Sequence, residues 1–264
     1  MRCSWLTDIH LNFLKPLALK GFYDRVKAER PEGLFITGDI AESDTLARVL
    51  HELAQHTGAK VYFVLGNHDY YRSSIRTVRE EAQRLTSATY LPVAEPIALS
   101  PQMTMIGVDG WGDARCGDTE SKVQLSDWQL IDDFRRCKDV AARIELLQRL
   151  GANEARALRD KLAKVPATPK LLVLTHVPPF PEACIYAGEQ SSPEWLPWFT
   201  CIATGEVLRE HAEAHPAQRT MVLCGHAHGI GTHRPLPNLE VRTGGWPPDT
   251  QEYGNPIVQA TFEL

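Results

Sequence analysis

Short apolar runs alternate with longer amphipathic stretches along most of the 264 residues, and this alternation constrains the fold more than any other feature. The apolar runs have the length and β-branched content of buried strands, and the amphipathic stretches have helical spacing. Strands interleaved with helices predict an α/β protein. The predicted strands cover residues 2–6, 33–37, 61–65, 103–108, 170–174, 220–223, 239–242 and 257–262.

The last two predicted strands have no helix between them, which indicates an antiparallel pair and therefore mixed sheets. Predicted helices cover residues 17–29, 45–56, 75–85, 127–134, 141–150, 153–165 and 206–214. Gly151 separates two of these helices, so residues 121–165 are predicted to form a helical hairpin. Because no flexible linker interrupts the chain, we expect one domain over 1–264 that carries this helical insertion.

Charge and composition narrow the classes of partner and compartment. The chain has 33 acidic and 28 basic residues, a net charge of −5, which provides no general attraction to nucleic acid or to an anionic membrane. Its apolar runs fall far short of the roughly 20 residues that a membrane helix needs. The six cysteines are scattered without a C-x-x-C pair. The cysteine pattern leads us to expect reduced thiols and a cytoplasmic location. The net charge and the short apolar runs lead us to expect a small-molecule partner.

Polar residues with metal-binding side chains follow the predicted strands repeatedly. In open α/β sheets, ligands bind beyond the carboxyl ends of the strands, so residues far apart in sequence converge there. By composition alone, the run Gly-His-x-His is expected about 0.03 times and the run Gly-Asn-His-Asp under about 0.001 times. Both occur, each directly after a strand. The motif residues are Asp8, His10, Asp39, Asn67, His68, Asp69, His176, His226 and His228.

Asp8-Ile9-His10, Gly38-Asp39, Gly66 to Asp69, His176 and Gly225 to His228, in this order, resemble the signature of the calcineurin-like metallophosphoesterase superfamily. The resemblance extends from residue 8 to residue 228. It implies a four-layer α/β/β/α sandwich with two mixed β-sheets and a dinuclear metal centre at the strand ends.

The resemblance also implies the ligands of each metal. One ion would be held by Asp8, His10, Asp39 and His228, and the other by Asp39, Asn67, His176 and His226, so that Asp39 bridges the two. Imidazole, carboxylate and amide donors without thiolate suit Mn²⁺, Fe²⁺, Zn²⁺ or Co²⁺, of which we favour manganese. Two such divalent ions would generate a bridging hydroxide for in-line attack on phosphorus.

His68 is the motif residue that does not bind metal, and the resemblance places it against the phosphate. There it would protonate the leaving-group oxygen or stabilise the charged transition state. Asp69 would orient the His68 ring and raise its basicity. An alternative role for Asp69 is to cap the helix that follows.

The substrate class is narrowed by departures from better-known relatives. Asp39 is followed by Ile40-Ala41-Glu42-Ser43 rather than by the Asp-Arg-Gly of protein phosphatases. The pattern is more similar to class III cyclic-nucleotide phosphodiesterases and small bacterial phosphoesterases. We therefore expect a hydrolase of small phosphoesters, diesters or nucleotide-like compounds. The alternatives are a phosphomonoesterase, a nuclease for short single-stranded nucleic acid, and a non-catalytic binding scaffold.

Two further regions are candidates for substrate binding. The loop 109–115 follows a strand, so Trp111 is predicted to stack on a substrate ring and Arg115 to hold phosphate. Alternatively, Trp111 packs the helical insertion against the sheet. The segment 178–204 is rich in aromatic residues and proline, and it forms either the rim of the pocket or a docked hydrophobic loop.

Overall fold

The computed structural model describes residues 1–247 and 254–264. The eight predicted strands agree with the observed positions within three residues, and the strands β4, β5, β8, β9 and β11 were not predicted. The strands are β1 Arg2–Leu6, β2 Gly33–Thr37, β3 Lys60–Val64, β4 Thr89–Tyr90, β5 Ile97–Ser100, β6 Met103–Gly107, β7 Lys170–Leu174, β8 Ile185–Tyr186, β9 Glu189–Gln190, β10 Arg219–Cys224, β11 Gly231–Leu236, β12 Leu239–Thr243 and β13 Ala260–Glu263. The helices are α1 Pro16–Ala28, α2 Ser43–Thr57, α3 Ile75–Gln83, α4 Asp127–Leu130, α5 Asp132–Arg135, α6 Val140–Leu162, α7 Leu196–Phe199 and α8 Ile202–Ala214.

The larger strands form two mixed sheets. One has the order β13-β1-β2-β3-β4 and the other β11-β12-β10-β7-β6-β5. Pairing is parallel in the interior and antiparallel at β13, β11 and β5, so the predicted mixed sheets are confirmed. The predicted closing pair is wrong, because β12 and β13 lie in different sheets. The antiparallel neighbour of β12 is β11, and β13 pairs with β1.

The two sheets face each other across an apolar layer, and each outer face is covered by helices. Trp5, Phe35 and Leu172 are among the side chains packed between the sheets. Helices α1 and α2 cover the first sheet, where Phe22 contributes to the core. Helices α6 and α8 cover the second sheet, where Leu158 does so. The fold is therefore the four-layer α/β/β/α sandwich that the motif pattern implied.

The region 121–165 differs from the predicted hairpin. Helix α6 runs through Gly151 without interruption for 23 residues. Gly151 is required by packing, since a Cβ at this position would lie 2.6 Å from the Cβ of Asp113. The C-terminal half of α6 packs on the second sheet through Leu158 and Leu162. This half is therefore a layer of the sandwich itself.

Two simple properties of the chain are also visible. All six cysteines lie in the described part of the chain and are free thiols. Within residues 1–247 and 254–264, no helix has the length and apolar content needed to cross a membrane.

Candidate metal centre

The motif residues lie on loops that follow the carboxyl ends of five strands, β1, β2, β3, β7 and β10. These strands belong to both sheets, and their loops come together at one edge of the sandwich. Several of them adopt a left-handed backbone conformation, with φ between 41° and 66°. This conformation costs non-glycine residues roughly 1 kcal/mol or more each, and such strain is concentrated at functional sites. The residues concerned are Asp8, His10, Asp39, His226 and His228.

Glycines let these loops approach one another closely. Gly38 has a φ of 85°, and a Cβ there would lie 2.6 Å from Nδ1 of His176. A Cβ on Gly66 would overlap Oδ1 of Asp39. The glycines of the motifs therefore make room for the polar side chains beside them.

Two groups of side chains have ligand atoms that all lie within 4.8 Å of one another. Asp39 belongs to both groups, which places its carboxylate between them. The first group is Asp8, His10, Asp39 and His228, and the second is Asp39, His176 and His226. This is the division between two ions that the sequence resemblance implied.

Asn67 completes the second group with an amide oxygen. Its Oδ1 lies 3.2 Å from Nε2 of His176, and its Nδ2 donates to Oδ1 of Asp127 at 2.8 Å. The Tyr71 hydroxyl donates to the same Asp127 oxygen at 2.7 Å. Asp127 therefore fixes the Asn67 amide so that its oxygen faces the second group. Sequence reasoning missed Asp127, because it lies 60 residues beyond Asn67 in a polar segment without a motif.

The histidines are held as neutral ligands. Burial lowers the pKa of His176 to about 3 and that of His228 to about 4. Burial and neighbouring histidines lower the pKa of His10 well below its usual value. Nδ1 of His176 bonds the Thr37 carbonyl oxygen at 2.8 Å, which leaves Nε2 to face Asp39 at 3.4 Å. Neutral imidazoles oriented in this way are the form that metals bind.

Burial disfavours the ionised form of the two carboxylates. Burial raises the pKa of Asp8 to about 7. Burial, followed by the neighbouring carboxyls of Asp8 and Asp69, raises the pKa of Asp39 well above its usual value. A bound divalent cation offsets both effects. Together with neutral imidazoles and the Asn67 oxygen, the donor set fits two borderline divalent ions.

His68 lies beside the two groups of candidate metal ligands. Its backbone N–H donates to Oδ1 of Asp39 at 2.9 Å, and its Nε2 lies 3.9 Å from the other oxygen of that carboxylate. Its ring stacks on Tyr71 with centroids 4.3 Å apart. Burial lowers the pKa of His68 to about 3. The ring is therefore neutral near pH 7.

Asp69 has a different role from the one expected. Its Oδ1 accepts the backbone N–H of Ile40 at 2.8 Å and that of the next residue at 2.9 Å, and its Oδ2 accepts the N–H of Gly66 at 2.8 Å. Its oxygens thus join the loops after β2 and β3 instead of orienting the ring of His68. The alternative of a helix cap is also wrong, because Ser74 caps α3.

The two predicted substrate contacts in the loop 109–115 are also corrected. Trp111 is buried, with its ring centroid 5.2 Å from that of Tyr70 and 5.7 Å from that of Phe134. It therefore packs the 121–165 region against the first sheet. Arg115 forms a surface ion pair with Glu206, with two contacts of 2.7 Å. Arg115 is thus held at the surface, whereas Trp111 lines a small cavity of about 10 Å³ together with Asn67 and His226.

A cavity of about 250 Å³ opens above the candidate metal centre. Its lining includes Asp39, His68 and His228. Trp195 and Phe199, from the aromatic segment 178–204, lie at the same opening. Trp198 of that segment is buried instead. The segment therefore fulfils both predicted roles, since part of it docks and part of it forms the rim.

Comparison with known proteins agrees with this geometry. A family description of calcineurin-like phosphoesterases matches residues 1–229. The chain therefore belongs to the calcineurin-like phosphoesterase family. It is a metallophosphoesterase, a phosphoester hydrolase of a family that uses divalent metals at a dinuclear site. No curated protein sequence matches the chain.

Solved structures share the fold at low sequence identity. Phosphopantetheinyl hydrolase from Mycobacterium tuberculosis superposes with a TM-score of 0.65 and 16% identity, over 97% of this chain and 95% of that chain. A dimetal phosphatase from Danio rerio gives a TM-score of 0.53 and 16% identity, over 93% and 87%. These likenesses extend the sandwich over nearly the whole chain.

Proposed function

We propose that the protein hydrolyses small phosphodiesters with two divalent metal ions, of which manganese is the favoured one. The observation that carries the proposal is the position of Asp39, whose carboxylate is common to two adjacent groups of ligands. Asp8, His10 and His228 would complete one site, and the remaining ligands, Asn67, His176 and His226, would complete the other. When bound, the two ions activate water and neutralise charge on the phosphoryl group.

His68 is proposed to donate a hydrogen bond rather than to transfer a full proton. Its pKa of about 3 means that the ring is neutral in the working pH range, and nearby dications favour the neutral form further. A neutral imidazole still donates one N–H. Of the two roles expected for His68, we therefore favour stabilisation of the developing charge on a phosphoryl or leaving-group oxygen.

The charge around the opening supports a diester. Among the residues that the structure describes, no lysine or arginine lines the 250 Å³ cavity. A phosphomonoester has a second pKa near 6 and is mostly a dianion at pH 7, whereas a diester carries one negative charge. Because no side-chain cation in this lining neutralises substrate charge, a monoanionic substrate is the better match. The same lack of basic residues disfavours a nuclease.

Steady-state kinetics with two chromogenic substrates test this proposal. Metal-stripped protein is reloaded with Mn²⁺ and assayed with bis-p-nitrophenyl phosphate and p-nitrophenyl phosphate. We expect kcat/KM to be higher for the diester. A matched control is Asp24→Ala, which removes an exposed carboxylate on α1 and leaves turnover unchanged. Preferential hydrolysis of the monoester would replace the proposal with a phosphomonoesterase, and failure to hydrolyse either compound with any divalent metal would favour a scaffold.

The natural substrate is sought with a panel of diesters. Cyclic nucleotides belong in it because the motif pattern is similar to cyclic-nucleotide phosphodiesterases. A phosphopantetheinyl ester belongs in it because a phosphopantetheinyl hydrolase shares this fold over nearly the whole chain. The preferred compound is the one with the highest kcat/KM.

A further inference from the structure

A second cavity, of about 500 Å³, lies beside the metal centre and is lined by Tyr186, Trp195, Phe199 and the β8–β9 hairpin. We call it the aromatic pocket. It shares Trp195, Phe199 and His228 with the cavity above the candidate metal centre, so the two cavities are adjacent. We propose that the aromatic pocket binds one ester substituent of the substrate, and that it selects a flat, uncharged group. This inference rests on the proposed phosphodiesterase function.

A row of aromatic rings joins the pocket to the metal ligands. The Trp195 ring meets the edge of Phe199 at 5.5 Å, and Phe199 stacks on His226 at 4.2 Å. Trp195 is 41% exposed and Tyr186 is 55% exposed. Large aromatic faces left in water beside a catalytic centre favour a ligand that covers them. A substituent on a phosphate held at the metals would reach these faces directly.

The wall formed by the hairpin is fixed against the metal centre. Ala187 and Gly188 have φ values of 49° and 84°, the signature of a tight two-residue turn between β8 and β9. The hairpin also packs on the loop after His228, where a Cβ on Gly229 would overlap the carbonyl oxygen of Ile185. The pocket is therefore preformed, which lowers the entropic cost of binding.

The charge of the lining selects an uncharged group. Within the described part of the chain, the aromatic pocket has no lysine or arginine in its lining. Glu189 is there instead, together with the neutral polar side chains of Gln190, Ser191 and Ser192. An additional phosphate or carboxylate would meet a carboxylate without a compensating cation. A nucleobase or an aryl ring finds aromatic faces and neutral hydrogen-bonding groups.

Calorimetric titration of the manganese-loaded enzyme tests the pocket without turnover. The probes are 2-naphthamide and 2-naphthalenesulfonate, which have the same ring system and differ in charge. We expect the amide to bind at least five times more tightly than the sulfonate. Trp195→Ala weakens amide binding about tenfold, the loss typical of a stacking aromatic. Trp195→Phe retains most of the affinity, and Leu17→Ala, an exposed apolar residue on α1, changes nothing. Equal affinity for the two probes, or unchanged amide binding in Trp195→Ala, overturns the proposal.

Kinetics then separate this inference from the proposed function. Bis-p-nitrophenyl phosphate and methyl p-nitrophenyl phosphate release the same leaving group, but only the former has two aryl substituents. We expect Trp195→Ala to raise KM, with little change in kcat, for at least the bis-aryl substrate. If wild-type enzyme hydrolyses the diesters and Trp195→Ala changes neither KM, the pocket assignment fails while the function stands. If no diester is hydrolysed but the amide binds in a Trp195-dependent manner, the function fails while the pocket stands.

Discussion

Asp127 provides the sharpest test of how the second metal site is built. Its Oδ1 accepts hydrogen bonds from Nδ2 of Asn67 at 2.8 Å and from the Tyr71 hydroxyl at 2.7 Å. Replacing it with alanine frees the Asn67 amide to rotate, so that its oxygen no longer faces His176. We therefore expect Asp127→Ala to weaken binding of one metal equivalent and to leave the other unchanged.

The size of this effect follows from the bonds that are lost. A hydrogen bond to a charged group contributes about 1.5–3 kcal/mol, which corresponds to roughly 10- to 150-fold in affinity. Outer partners of metal ligands typically change affinity about 10- to 100-fold. Both donors of the pair bond the same oxygen of Asp127. Asp127→Asn can therefore keep an acceptor there, and we expect it to lose less affinity than Asp127→Ala.

The assay is titration of metal-free protein with Mn²⁺, with free Mn²⁺ measured by electron paramagnetic resonance. Asp132→Asn is the matched control, because Asp132 lies nearby on α5 and pairs with Arg135 at the surface. It should bind both equivalents as the wild type does. If Asp127→Ala is folded by circular dichroism and binds two equivalents with wild-type affinities, Asp127 does not support the second metal site.

Three further changes test the site and its support. His68→Ala should lose about 10²- to 10³-fold in kcat, the cost typical of removing one hydrogen-bond donor to a developing charge. His68→Gln keeps a neutral N–H donor and should retain more of kcat, so equal losses would contradict a hydrogen-bonding role. Arg79→Leu leaves the buried Glu154 carboxylate without its ion-pair partner, so the free energy of unfolding in urea should fall by about 3–5 kcal/mol. Arg76→Leu, which removes an exposed ion pair, should leave this free energy unchanged. Gly66→Ala should abolish activation by Mn²⁺ in a turnover assay, since its Cβ would overlap a carboxylate oxygen, and full activation of this variant would contradict the loop packing.

The arrangement of the site could be predicted where the information is local. A strand followed at once by Asp, Asn or His is visible in the sequence, and parallel strands bring their carboxyl ends to one edge. Asp8, Asp39 and His176 were predicted to converge for this reason, and the structure brings them together. The role of Asp69 was not predictable in this way. Its backbone partners belong to loops whose contact depends on the tertiary fold.

Errors arose where a side chain's direction depends on distant residues. Arg115 follows a strand that ends near the metals, but its partner Glu206 lies 91 residues further along the chain and holds it at the surface. Gly151 marks a helix end in many sequences, whereas here it lies inside α6, where the close approach of Asp113 leaves no room for a Cβ. Neither contact has a signature in a single sequence.

The edge strand β11 was missed for a related reason. Strand β11 contains Gly231, His233 and Pro235, and its sequence lacks the apolar–polar alternation by which a half-buried strand is recognised. Its pairing with β12 positions it instead. Antiparallel edges such as this one depend on the neighbouring strand more than on their own composition.

Asp39 is proposed to bridge two metal ions that are both needed for hydrolysis. The direct measurement is the rate of bis-p-nitrophenyl phosphate hydrolysis as metal-free protein is titrated with Mn²⁺, together with the bound metal per chain, for wild type and Asp39→Ala. We expect activity to appear as the second equivalent binds, and we expect Asp39→Ala to lose both high-affinity binding and turnover. Full activity with one bound equivalent, or near-wild-type turnover in Asp39→Ala, would rule out the bridging role of Asp39.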